Sequence, residues 1–191
     1  MAIDSFRRDV KHHSRLFAFI RGPFAFLLFL LGALIACHPP DLSDRTEEEP
    51  PRPASNLQVA GPDAASQLIS GWYNVEKNSW RWTAGKFAVI LRPPIGSAVK
   101  GATLTLNFTV PEVIISRLRS VTLSASIQGT GLAPETYQSP GKAIFKRDVP
   151  ARLLSGETVR VDFALNRVMV PGQGDIRELG VIADRVGLEA K

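Results

Sequence analysis

Alternation with a period of two residues is the feature that most narrows what this chain can fold into. Leu104, Leu106, Phe108 and Val110 interleave with Thr103, Thr105, Asn107 and Thr109. Successive side chains of an extended strand point to opposite faces, so this stretch predicts a strand with one buried and one wet face. Val121, Leu123, Ala125 and Ile127 repeat the pattern against Thr122, Ser124, Ser126 and Gln128. So do Val159, Val161, Phe163 and Leu165 against Arg160, Asp162 and Asn166. Shorter apolar runs at 68–73, 87–91, 143–145 and 181–188 fit further strands. Pro93-Pro94, Gly129-Thr130-Gly131, Ser139-Pro140-Gly141 and residues 171–174 supply turns between them. Only 150–156, closed by Gly156, reads as a helical turn. Roughly seven or eight short one-sided strands predict an all-β fold, an antiparallel two-sheet sandwich of jelly-roll type, over residues 66–191.

Residues 37–65 have a different composition, rich in proline and in the acids Asp41, Asp44, Glu47, Glu48, Glu49 and Asp63. A segment with so few large apolar groups buries too little surface to offset the entropy of ordering, which predicts a disordered, extended tether. Ahead of it, Arg7, Arg8, Lys11, Arg15 and Arg21 precede an apolar run over 24–36. Positive charge before a short apolar core is the pattern of an export signal. Leu34-Ile35-Ala36-Cys37 at the end of that run resembles the lipobox of bacterial lipoproteins. The resemblance implies cleavage between Ala36 and Cys37 and attachment of membrane lipid to the Cys37 thiol. It places the product in the cell envelope, on the exported side of a bacterial membrane. The alternative is an uncleaved, single-pass anchor helix, against which Arg21 and Pro23 stand as a charge and a helix breaker in its first turns.

The one cysteine is Cys37, and the three histidines are His12, His13 and His38, so residues 66–191 contain neither type. No disulfide can form within the chain, and the usual zinc ligands and Ser-His-Asp or Cys-His constellations are missing from the body. No metal and no cofactor is expected. No pair of acids is nominated by spacing for glycoside hydrolysis, and the expected function is non-catalytic. The basic residues of the body are scattered among the alternating stretches rather than gathered in a stripe, which argues against nucleic acid as a partner.

Residues 71–83, Gly-Trp-Tyr-Asn-Val-Glu-Lys-Asn-Ser-Trp-Arg-Trp-Thr, hold all three tryptophans. Aromatic faces beside a carboxylate and an arginine suit sugars, whose C–H groups stack on rings while polar side chains take the hydroxyls. Trp72, Tyr73, Glu76, Trp80 and Arg81 are therefore the candidate ligand-binding residues. The same residues also fit a structural description, with the indoles in the core and Glu76 bridged to Arg81 across a hairpin. Alternation puts Trp80 and Trp82 on one face and Arg81 and Thr83 on the other, an arrangement that can turn both indoles inward. Gly-Trp-Tyr-x-x-Glu, Arg-Trp-Thr and the later Asp175-Ile-Arg177-Glu-Leu179-Gly180-Val181 resemble the two ends of a jelly-roll domain attached to bacterial surface-polysaccharide glycosyltransferases. That resemblance implies a β-sandwich working near envelope glycans and supplies no catalytic residue; Asp175 and Arg177 read as a turn-fixing pair. The expected partners are polysaccharide or, alternatively, another envelope protein that the domain helps to assemble.

Overall fold

The computed structural model describes residues 52–172 and 174–191. Expectations for the leader, for Leu34, Ile35, Ala36 and Cys37, and for the tether up to residue 51 lie outside the described residues. Nine strands follow one another: β1 (Asn56–Gln58), β2 (Leu68–Glu76), β3 (Trp80–Leu91), β4 (Ala102–Val110), β5 (Val121–Ile127), β6 (Thr130–Tyr137), β7 (Gly141–Val149), β8 (Val159–Leu165) and β9 (Ile182–Ala190). Two short helices, α1 (Ser97–Lys100) and α2 (Glu112–Leu118), and two 3-10 turns, Pro62–Ser66 and Ala151–Leu153, interrupt them.

All pairings are antiparallel, and they form one path in the order β6-β5-β8-β3-β9-β4-β7. β2 lies along β3 and β1 along β9. The path doubles back on itself because β3 changes partner along its length. Lys86 to Leu91 pair with β8, whereas Arg81 and Trp82 pair with β9. One layer is therefore β2-β3-β8-β5-β6, and the other is the start of β3 with β9, β4, β7 and β1. Strands that pass from one layer to the other make the corners of such sandwiches.

Between the layers sit the residues whose alternation marked the strands. Ala102, Leu104, Leu106, Phe108 and Val110 of β4 are all buried, as are Val121, Leu123, Ala125 and Ile127 of β5. Ring contacts join the two layers directly: Phe145 of β7 meets Phe163 of β8 edge-on at 6.4 Å, and Phe108 of β4 meets Tyr137 of β6 at 5.0 Å. The expected all-β antiparallel sandwich is the fold observed. At its open edge, Arg147 of β7 reaches across to β6. Its guanidinium donates to the carbonyls of Ala133 and Pro134, pairs with Glu135 at 2.8 Å and lies over the Phe145 ring. Edge carbonyls left open would invite pairing with another chain, and this arginine occupies them.

The start of the body differs from expectation. Residues 54–65, assigned from composition to the tether, belong to the sandwich. β1 pairs with β9, Leu57 and Val59 are buried, and Ala64 is buried in the 3-10 turn. The buried Gln67 fastens this segment. Its Oε1 accepts from the Ala54 N–H at 2.9 Å, and its Nε2 donates to the carbonyls of Ala54 and Ile90 at 3.1 and 2.7 Å. Three-residue β1 lies in a proline-rich stretch whose composition hides the alternation of Leu57 and Val59. Replacing Gln67 with Leu should cost about 1–3 kcal/mol, the penalty for stranding buried polar groups. Urea denaturation reads that loss, and hydrogen exchange at Leu57 and Val59 should accelerate with it. Unchanged exchange there would show that β1 holds without Gln67.

Candidate functional site

The hairpin of β2 and β3 carries the aromatic stretch. Lys77 and Asn78 both adopt positive φ, 49° and 52°, and the Ser79 N–H donates to the Glu76 carbonyl, closing a tight turn between the paired Glu76 and Trp80. Below it the candidates separate. Trp72 packs against the core, edge-on to Phe87 at 5.0 Å, and its indole N–H donates to the Ala88 carbonyl at 2.8 Å. Arg81 spends its guanidinium on two backbone carbonyls, those of Val59 at 2.6 Å and Tyr73 at 2.9 Å. The expected Glu76–Arg81 bridge is not formed. Glu76 pairs instead with Arg177 at 3.0 Å, from the far end of the sequence.

Arg177 is the centre of that cluster. Its Nε and Nη2 and its own N–H all donate to Asp175, as the turn-fixing expectation requires, and its guanidinium lies 5.2 Å from the centre of the Tyr73 ring. The Arg177 side-chain and backbone hydrogen bonds hold the Asp175 carboxyl well below the usual carboxylate range, at about 2. Tyr73, Glu76, Asp175 and Arg177 thus form a network bracing the hairpin, in which one guanidinium is shared by two carboxylates.

Trp80 and Trp82 are different. Thr83, Phe87 and Val89 of the same strand are buried, so alternation sends Trp80 and Trp82 to the outer face rather than inward, the other placement that their shared strand face allowed. Both are partly exposed, and their rings meet edge-on at 6.3 Å. The register continues that face across the layer. Trp82 lies opposite Ile182, Ile182 opposite Thr109 and Thr109 opposite Lys142. The neighbouring row runs Gln58, Arg185, Asn107, Ile144.

Between the two rows β9 bulges. Asn107 pairs with Arg185 but Phe108 pairs with Ala183, which leaves Asp184 as the extra residue. A bulge re-aims side chains locally, and here it opens a depression of about 420 Å3 lined by Gln58, Asn107, Lys142, Asp184 and Arg185, with Ile144 at its wall. The volume is of the size that small ligands occupy. Burial raises the Asp184 carboxyl above its ordinary pKa, against the opposing pull of the Lys142 ammonium. None of the side-chain heads of Gln58, Asn107, Asp184 and Arg185 is hydrogen-bonded to another described residue. A larger depression, about 500 Å3, lies on the outer face of the other layer. Its floor is Ala88, Ser124, Ser126 and Ala164, it has no tryptophan or tyrosine, and its carboxylate, Asp162, is already bound to Arg160 at 2.8 Å. The face bearing Trp82 and Asp184 therefore offers what the other lacks: rings as a platform and polar groups with free capacity.

Two signals in the sequence could have located this site. Counting back from buried Phe87 and Val89 puts Thr83 inward and both indoles outward. The change of parity between the apolar pairs Val181/Ala183 and Val186/Leu188 marks an extra residue between them. Among the described residues no group of three His, Cys, Asp or Glu side chains is placed to hold a metal ion, and no helix is long and apolar enough to cross a membrane.

No protein-family model matches the chain, and no curated protein matches it. Among solved structures, an acetyl xylan esterase from the rumen bacterium Butyrivibrio proteoclasticus is similar at 9% identity and a TM-score of 0.43 over 69% of this chain. The match spans only 31% of the esterase. A structure described under "CBM4 structure and function" is similar at 14% identity and a TM-score of 0.36, covering 71% of this chain and 85% of that one.

The raised Asp184 carboxyl makes a prediction whose sign can be worked out. At low pH the group is protonated in folded and unfolded chains alike. As pH rises through the ordinary carboxylate range the unfolded chain ionises first, so the wild type loses stability until the folded group ionises too. Asp184→Asn should therefore be at least as stable as the wild type at pH 7, with the difference vanishing below about pH 4. Thermal melts across that range check it, and a variant less stable at pH 7 than at pH 3.5, relative to wild type, would contradict the burial argument.

Proposed function

We propose that the sandwich is a non-catalytic polysaccharide-binding module of the bacterial cell envelope, held to a membrane on the exported side by lipid on Cys37. The binding site is the outer face formed by the start of β3 with β9, β4 and β7. The single observation that supports it best is the outward Trp80–Trp82 pair on the same face as the depression at Asp184. Indoles stack on the C–H faces of sugar rings, while planar groups such as Asn107, Gln58 and Asp184 pair with ring hydroxyls. Trp82 supplies the platform, Asn107 and Asp184 the orientation, and Lys142 and Arg185 allow an acidic sugar. Trp72, Arg81 and the Glu76–Arg177 pair keep the hairpin in place and do not touch the ligand. The absence of His and Cys from the body leaves it without a thiol nucleophile or an imidazole base.

Affinity electrophoresis of the full chain, in mild detergent, through gels holding envelope polysaccharides tests this. Trp82→Ala and Asn107→Ala should each weaken binding about 10-fold or more, equal to ~1.4 kcal/mol, with the fold intact by circular dichroism. Trp72→Ala should instead destabilise the domain by about 3 kcal/mol, as loss of a packed aromatic does. Full binding by folded Trp82→Ala and Asn107→Ala chains would remove this face as the site. Binding to no polysaccharide at all would make another envelope protein the better partner.

A further inference from the structure

The end of the sandwich at which the chain comes into it carries an unusual surface. After β3 the chain runs through Pro93 and Pro94 into α1, and two large apolar side chains on this short segment stand in solvent: Ile95 is 96% exposed and Val99 84%. Arg92 and Lys100 flank them and are exposed. The 3-10 turn Ala151–Leu153, which packs against α1, adds the exposed Arg152. None of these three cations is ion-paired with a described residue. Apolar tips flanked by basic groups are suited to an interface that is oily beneath and anionic at its surface.

The start of the described chain is at the same end. The Arg92 N–H donates to the Ala54 carbonyl at 3.1 Å, and Gln67 holds the same Ala54 peptide. The first described residues therefore lie beside the segment that carries the apolar tips. Other aliphatic side chains are exposed too, and of these Ile176, at 90%, belongs to the loop that braces the β2–β3 hairpin at the other end of β3. At about 3.3 Å per residue, the ends of that twelve-residue strand are roughly 35 Å apart.

We propose that the end of the sandwich bearing Ile95, Val99, Arg92, Lys100 and Arg152 docks on an anionic lipid bilayer, with the two aliphatic tips entering the headgroup region. The proposal rests on the membrane-anchored reading of residues 1–37. The tether then does more than hold the body near the membrane. Docking fixes its orientation, because the strand length of β3 carries the hairpin and its bracing loop away from the lipid.

A cysteine introduced at Ile95 or at Ile176 in the full chain, coupled to a polarity-sensitive fluorophore, tests the orientation on reconstituted vesicles. The unsubstituted chain carried through the same labelling sets the background from Cys37. On vesicles containing phosphatidylglycerol, the label at 95 should shift to the blue and lose about five-fold in quenching by aqueous iodide, while the label at 176 stays quenchable. Pure phosphatidylcholine, or Arg92→Glu with Lys100→Glu, should abolish the change at 95. If the chain stays on anionic vesicles but the label at 95 remains fully quenchable, the docking is overturned and the anchor reading stands. Equal shifts at 95 and 176 overturn it as well. A chain that leaves the vesicles altogether overturns the anchor reading and the docking together.

Discussion

The structure depends on how the backbone is satisfied where β3 leaves one layer for the other. Between Trp82, paired with β9, and Lys86, paired with β8, the strand has no continuous neighbour on that edge. Buried peptide groups without partners there would each cost about 1–3 kcal/mol. They are met individually by residues 178–181. The Gly180 N–H donates to the Thr83 carbonyl at 2.7 Å, the Thr83 N–H to the Val181 carbonyl at 2.9 Å, and the Val181 N–H to Thr83 Oγ1 at 3.1 Å. The Gly85 N–H is taken by the Glu178 carboxylate at 2.6 Å. A side chain on Gly180 would fall 2.6 Å from Leu165 and 2.7 Å from the Thr83 hydroxyl, so only glycine lets the two segments approach this closely.

This junction explains why two short motifs a hundred residues apart go together. Gly71, Thr83 and Gly85 lie on one side of the contact and Arg177, Glu178 and Gly180 on the other. Gly71, at φ +74°, stands where any Cβ would collide with the Lys86 carbonyl, which allows β2 to follow the corner. Arg177 ties the same loop to the hairpin through Glu76 and Tyr73. The polar groups that first suggested a ligand site are thus committed to holding a strand across two layers. Both carboxylates, Glu76 and Asp175, are paired with Arg177, and Arg81 is bound to two backbone carbonyls.

The outer face of β9 has the opposite economy. Asp184 lies in a bulge where burial disfavours its ionised form, and Gln58, Asn107 and Arg185 hold polar heads that the fold does not use. A carboxylate kept in such a place costs stability, and sites of function are where such costs concentrate. The two indoles on the same face stand partly exposed outside the core. At the far end of β3, Ile95 and Val99 show the same mismatch between residue type and surroundings.

Strand type, the all-β class and the core positions of β4, β5 and β8 follow from local alternation, because each strand's buried face is written at every second residue. Composition alone also excluded disulfides and the usual histidine and cysteine chemistry from the body. The sequence was less informative where neighbours decide. β6 has no buried residue, its alternation broken at an edge strand, and local pattern marks only the turn at Gly129 to Gly131 there. The helices α1 and α2 are too short to show a period of their own, and β1 sits in a stretch that composition marks as tether. The chemistry of residues 71–83 was legible, but not which way each side chain points or what it touches. Arg81 and Glu76 found partners in Val59 and Arg177, 22 and 101 residues away, and a single extra residue at Asp184 set which polar groups share a face with the indoles. Such pairings arise only when distant strands are brought into register, so local alternation determined the layers, and the tertiary structure decided which of their faces can bind.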